Sequence, residues 1–327
     1  MLQYIAKRVV YFIPTLLVIS VVSYFLIELP PGDYLTSYLA ALESRGQMVD
    51  PSVIEGLRRR YGLDQPVYMR YLKWTWNLLH GDWGHSFEWN QPVSKLIGDR
   101  VLLTFVVSLG TMLFTWIVAF PIAIYSATHQ YSVGDYCFSF LGFFGLGIPD
   151  FMLALVLLWI AYANFGADLS GLFSEKLVGA PWSLAKVADM LKHLWVPLVV
   201  LGTAGTAGLI RTTRANLLDE LRKPYVFTAR AKGLTERRLL LKYPLRVALN
   251  PFISGIGYVL PGLVSGATII SVVLNLPTTG PLLLRALMSQ DMYLAGSFIM
   301  MLSTLTVIGT LISDILLGWV DPRIRYE

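Results

Sequence analysis

The sequence predicts an all-α integral membrane protein with six transmembrane helices, and three observations carry that reading. Only 14% of the 327 residues are charged and 55% are apolar, with a mean hydropathy of +0.59; soluble domains hold about 25% charged residues. Six apolar stretches reach or approach the roughly 20 residues that a helix needs to cross about 30 Å of hydrocarbon. Against this background, residues 225–251 hold six Lys or Arg and a single acid, Glu236.

The six stretches are 9–29, 101–128, 137–164, 194–209, 252–276 and 293–320. The first follows Lys7 and Arg8, exceeds the apolar run of a signal peptide and lacks a small-x-small cleavage site, so it is expected to be retained. The fourth is the shortest, but its Gly202, Thr203, Gly205, Thr206 and Gly208 allow close helix contact. The single cysteine, Cys137, excludes an internal disulfide and is expected to pack as a small core residue.

Six spans place both ends on one side. With the N-terminus inside, the inner segments 1–8, 129–136, 210–251 and 321–327 carry 14 Lys or Arg. The outer segments 30–100, 165–193 and 277–292 carry 12, eight of them in 30–100. A segment that long crosses largely regardless of charge, and discounting it leaves four outside. Both termini are therefore expected to be cytoplasmic. The loop 129–136 is the exception, with His129 and Asp135 but no Lys or Arg.

The chain divides into residues 1–29 (N-terminal tail and first span), 30–100 (an extracytoplasmic segment) and 101–327 (a five-span core containing the loop 210–251). Within 30–100, Asp50, Pro51 and Gly62 read as cap, first residue and stop of a short helix. A second helix follows, with Val67, Tyr71, Trp74 and Leu78 on one face and Arg70 and Lys73 on the other. The density of Tyr and Trp suits the membrane–water interface. The stretch "NLPTTGPLLLRAL" predicts a turn and then a short helical run.

In the basic loop, Pro224 suits a helix start and Gly233 the left-handed turn past a helix end. Between them lies a helix of about 12 Å, too short to be stable alone in water. Thr235 is expected to cap a second, basic helix, with Glu236 near its positive end, Pro244 kinking it and Asn250-Pro251 opening the next span.

Several chemistries are weighed and set aside. "HGDWGHS" brings His80, Asp82 and His85 together, a thin ligand set for a metal. No nucleophile elbow, zinc-helix motif or phosphate loop occurs. Nucleic-acid binding is out of place in a loop tethered to membrane at both ends, where anionic lipid accounts for much of the charge. An ion-coupled carrier is the rival reading, with Asp150 and Asp314 as its in-membrane acids. Asp314 has Arg323 or Arg325 nearby as a partner, whereas Pro149 and Asp150 follow a Gly-rich stretch that opens the backbone towards a translocation pathway.

The segment "YVFTARAKGLTERRLLLKYPLRVALNP" resembles the cytoplasmic EAA loop of permease subunits in binding-protein-dependent ABC importers, the dipeptide/oligopeptide branch in particular. The family's glycine falls on Gly233, its Glu-Ala-Ala on Phe227, Thr228 and Ala229, and its closing Leu-Pro on Asn250-Pro251. The start "YIAKRVVYFIPTLLVISVVSYFLI", then "PPGD", "LRRRYGLDQPV", "GDWGHSF" and "DPRIRY" are similar to that branch in order and spacing.

The resemblance implies a type I ABC importer permease fold with an extended extracytoplasmic segment after the first helix, in a bacterial or archaeal cytoplasmic membrane. It implies a coupling helix over 225–232, with Tyr225, Thr228, Ala229, Arg230, Ala231, Lys232, Gly233, Leu234, Glu236 and Arg237 engaging an ATPase. Thr228, Ala229 and Ala231 would let it pack closely. The implied partners are a second permease, two ATPase domains and an extracytoplasmic solute-binding protein, with no cofactor in this chain and ATP and Mg on the ATPases. Peptides are the expected cargo. Oligosaccharides or glycosides are the alternative, because "PPGDYLTSYLAAL" departs from the usual "PGDP" and Trp83, Phe87 and Trp89 offer aromatic surfaces for sugar rings.

Overall fold

The structure is a computed structural model describing residues 2–29, 32–44, 50–60, 62–249, 252, 262 and 267–320. Their regular structure is helical, with no β-strand among the described residues. In order, the helices are α1 (Leu2–Glu28), α2 (Tyr34–Glu43), α3 (Pro51–Arg60), α4 (Val67–Leu79), α5 (Val93–Thr128), α6 (Val133–Gly147) and α7 (Asp150–Phe165). They continue with α8 (Leu184–Leu221), α9 (Pro224–Ala231), α10 (Glu236–Lys242), α11 (Pro244–Ala248), α12 (Thr268–Val273), α13 (Thr279–Met288) and α14 (Met292–Val320).

Four helical stretches are long and apolar enough to cross a membrane: Val10–Glu28, Val93–Thr128, Leu184–Leu221 and Met292–Ile312. A fifth crossing is available if α6 and α7 act as one broken span. The sequence treats 137–164 as a single span, but the chain turns by 101° between these helices. Pro149 has no N–H to donate and holds Ile148 extended (φ −92°, ψ 126°), which ends α6 there. Most of the expected span 252–276 lies outside the described residues, as do Asn250-Pro251, the Asp314 side chain, Arg323 and Arg325.

The fourth span is also corrected. It is the middle of a 38-residue helix, because hydropathy falls where the chain leaves hydrocarbon while the helix runs on. The small residues of α8 act as expected. A Cβ at Gly202 would lie 2.6 Å from the Phe114 ring, so only glycine lets α5 come this close. Cys137, expected in the core, is exposed on α6.

The 32–92 segment is built on α1 and α14. Asp50 Oδ1 accepts from Ser52 N at 2.8 Å at the start of α3, and Gly62 (φ 67°) ends it. Val67, Tyr71, Trp74 and Leu78 of α4 pack into a cluster with Tyr24, Leu294 and Phe298. Arg70, on the other face of α4, makes a two-pronged pair with Glu28 at the end of α1 (2.9 and 2.8 Å). Beside this cluster is a cavity of about 490 Å³ whose rim includes Arg59, Arg70 and Lys73. Two of those cations are already neutralised, Arg59 by Glu55 and Arg70 by Glu28.

Candidate functional site

The basic segment folds as three short helices hung from the end of α8. Lys223 is extended (ψ 145°) and Pro224 opens α9 as its first residue. Eight residues later the helix closes, with Gly233 N bonding Arg230 O at 3.0 Å and Leu234 N bonding Ala229 O at 3.4 Å. Gly233 adopts φ +80°, the left-handed turn expected of it.

Thr235 starts α10 but its side chain makes no cap hydrogen bond, contrary to expectation. Glu236 reaches back across the turn instead, accepting from Arg230 Nε at 2.5 Å and Nη2 at 2.9 Å. A planar guanidinium can satisfy both carboxylate oxygens at once, which a cap cannot. The Arg230 guanidinium holds the Glu236 carboxyl below its ordinary 4.5.

The pairing therefore persists above that value and is lost as pH falls through the lowered one. Both groups are exposed, so the clip orders the turn without stabilising the fold. Glu236→Gln is expected to leave the unfolding temperature unchanged while speeding tryptic cleavage after Arg230 and Lys232 in membrane vesicles. Unchanged cleavage would show that the clip does not order the turn.

One face of α9 is turned into the segment: Val226 and Ala229 pack with Leu239, flanked by Leu234 and Tyr243. The other presents Tyr225, Phe227, Thr228, Arg230, Ala231 and Lys232 outward. Ala229 and Leu234 are thus internal, while Thr228, Ala231 and the exposed Arg237 are available to another surface. Phe227 is an exposed aromatic of this face that the sequence reading did not single out. Its side chain is 56% exposed at the middle of the helix. An aromatic on the outward face of a Pro-to-Gly helix is the signal that would have found it.

The base is fixed to the core. Tyr225 donates to Glu220 Oε2 at 2.5 Å; partial burial and that carboxylate push the phenol up to about 12, so it stays a neutral donor. Ala248 of α11 packs with Leu217 of α8 and Ala127 of α5. The basic segment is thus packed against the ends of two long helices.

Pro149 and Asp150 lie elsewhere, at the joint between α6 and α7, Pro149 exposed and Asp150 half-buried at the first turn of α7. The other end of α6 meets α8, where Asp135 accepts from Arg214 Nη2 at 2.8 Å and Nε at 3.1 Å. The His80 ring lies 4.4 Å from that of Trp76, tilted by 40°, and Asp82 accepts from Gly84 N. Among the described residues no cluster of three His, Cys, Asp or Glu could hold a metal. Phe87 is buried, and Trp83 and Trp89 pack against the same core cluster.

The family described as binding-protein-dependent transport system inner membrane component matches residues 119–326. The N-terminal part of the membrane component of such systems matches residues 1–110. The chain belongs to this family. The permease is similar along its whole length to the oligopeptide transport system permease protein AppB of Bacillus subtilis (strain 168), at 35% identity over 331 residues covering 100% of both chains. It is also similar to the dipeptide transport system permease protein DppB of Escherichia coli (strain K12), at 29% identity over 343 residues, again covering 100% of both.

The permease is thus a multi-pass inner-membrane transport component and not a catalytic subunit. The ABC importer resemblance read from the basic loop agrees with these matches. The ion-coupled alternative finds no support in them.

Proposed function

We propose that this permease forms half of the translocation pathway of an ATP-driven importer of peptides, with α9 seated in a cleft of a cytoplasmic ATPase subunit. Its architecture is six spans with both termini in the cytoplasm and the 30–100 segment outside. Its partners are a second permease, two ATPase domains that carry ATP and Mg, and an extracytoplasmic solute-binding protein. The inner segments' excess of Lys and Arg supports the orientation. The peptide cargo rests on the names of the full-length relatives. Phe87, Trp83 and Trp89 pack into the core cluster shared with α1 and α14, which weakens the aromatic platform that favours oligosaccharides.

One observation carries the coupling role. An eight-residue helix, marginal in water, is locked at both ends and presents Phe227 and its neighbours outward. That arrangement stabilises a protrusion for a partner to grip. The test is a mild-detergent pull-down of the tagged chain from native membranes. The wild type is expected to bring down an ATPase and a second multi-span protein. Phe227→Ala is expected to retain the second permease and to lower ATPase recovery about tenfold or more, as for an aromatic anchor at the centre of an interface. A chain recovered alone, transporting without ATP, would overturn the proposal.

A further inference from the structure

We propose that the Asp135–Arg214 pair is the joint that carries a displacement of α9 into the broken span α6–α7. This rests on the coupling role just described and names the residues that transmit it. Asp135 lies in the first turn of α6 and is 3% exposed. Its carboxylate accepts both prongs of Arg214 and, through Oδ2, the Tyr131 N–H at 3.1 Å. Arg214 lies two turns before the end of α8, the helix from which α9 hangs.

The pair is one point of a continuous seam. Farther along, a Cβ at Gly142 would meet Ala207 at 3.8 Å, and one at Gly145 would lie 2.6 Å from Thr203. As residue numbers rise on α6 they fall on α8, so the two helices run antiparallel in contact, with glycine at the closest approaches. Such a seam slides along its axis unless something pins it. An ion pair partly removed from water, with Asp135 buried and Arg214 half-buried, is poor evidence of stability, because desolvation offsets much of the attraction. What the guanidinium fork adds is a fixed register and angle.

The pair also explains why 129–136 breaks the charge pattern of its side. Its acid is buried against an arginine of α8, and a further Lys or Arg in that loop would compete for it. With the register pinned, a pull on α9 travels along α8 to Arg214, into α6 at Asp135, and on to the joint at Ile148–Pro149 beside Asp150. Asp135 and Arg214 touch no substrate on this account; they position the helix that leads to the pathway.

The experiment measures uptake, ATPase recovery and substrate-stimulated ATP hydrolysis for the intact complex. The variants are Asp135→Asn, Arg214→Lys and the exchange Asp135→Arg with Arg214→Asp. The single variants are expected to keep normal membrane abundance and ATPase recovery, yet lose roughly tenfold of uptake while hydrolysis continues, a span typical of lost coupling between sites. The exchange is expected to recover part of the uptake.

Normal uptake in both single variants would overturn the inference. So would loss of the chain from the membrane in both, which would make the pair structural alone. If the wild type brings down no ATPase, the coupling role itself fails. That result is distinct from an assembled complex indifferent to Asp135.

Discussion

Replacing Gly233 with valine is expected to abolish uptake while leaving the chain folded in the membrane. The reason is conformational and local. Gly233 holds φ +80°, and a Cβ built there would find no atom within 4 Å. No clash inside this chain opposes a side chain, so the whole cost lies in the backbone. A left-handed L-residue costs about 1–2 kcal/mol, and more when β-branched. That is small against the stability of a long-helix bundle but large for an eight-residue helix whose direction is set by this one turn. The chain is expected to relax by moving Gly233 to negative φ, which breaks the Leu234 N to Ala229 O bond and swings α9 off its Val226–Leu239 packing.

A graded series checks this: alanine intermediate, asparagine near wild type because it tolerates the left-handed region, valine inactive. Uptake and ATPase recovery should fall together along the series, while membrane abundance stays level. Full activity in the valine variant would show that the turn does not aim the helix.

What was legible in the sequence followed from local rules. Pro224, Gly233 and the eight residues between them set α9, because a missing N–H and a missing Cβ act where they stand. Two helices of the 32–92 segment were equally legible, since Asp50 and Gly62 bracket α3 and period 3.6 marks the face of α4, whereas α2 went unread. The length of α8 was not. A hydropathy window reports where hydrocarbon ends, and the helix continues beyond it at both ends.

Long-range pairs were the other blind spot. Arg70 finds Glu28 and Arg214 finds Asp135, 42 and 79 positions away, and no periodicity within either helix encodes such a partner. The loop 129–136 did carry a trace, an acid where its side of the membrane is otherwise basic. The exposure of Phe227 was not legible either, because it depends on which face of α9 docks on Leu239.

The other large effect is expected at Asp291, which caps α14. Asp291 is fully buried at the start of α14. Its Oδ1 accepts from Leu294 N at 3.2 Å, and its Oδ2 from Ser86 Oγ at 2.5 Å and Glu88 N at 3.2 Å. One carboxylate thus caps a long helix and holds the 82–92 loop onto it. Asp291→Ala removes the cap and orphans three buried donors. An expected loss of about 3–7 kcal/mol follows from a cap worth about 1 and two further unsatisfied donors of about 1–3 each, read as a lower unfolding temperature in detergent.

The pH dependence separates this cap from simple packing. Burial lifts the Asp291 carboxyl above its ordinary 3.8, although the Ser86, Glu88 and Leu294 donors pull the other way. A raised value in the folded state means that the group's protonation favours folding. That contribution is complete below 3.8 and is lost as pH rises through the lifted value. Asp291→Asn has no such proton to gain, so the wild type's advantage over it is expected to widen from neutral to mildly acidic pH. A gap that stays constant, or one that narrows, would mean that the three donors outweigh burial and that the carboxylate is held as a charge.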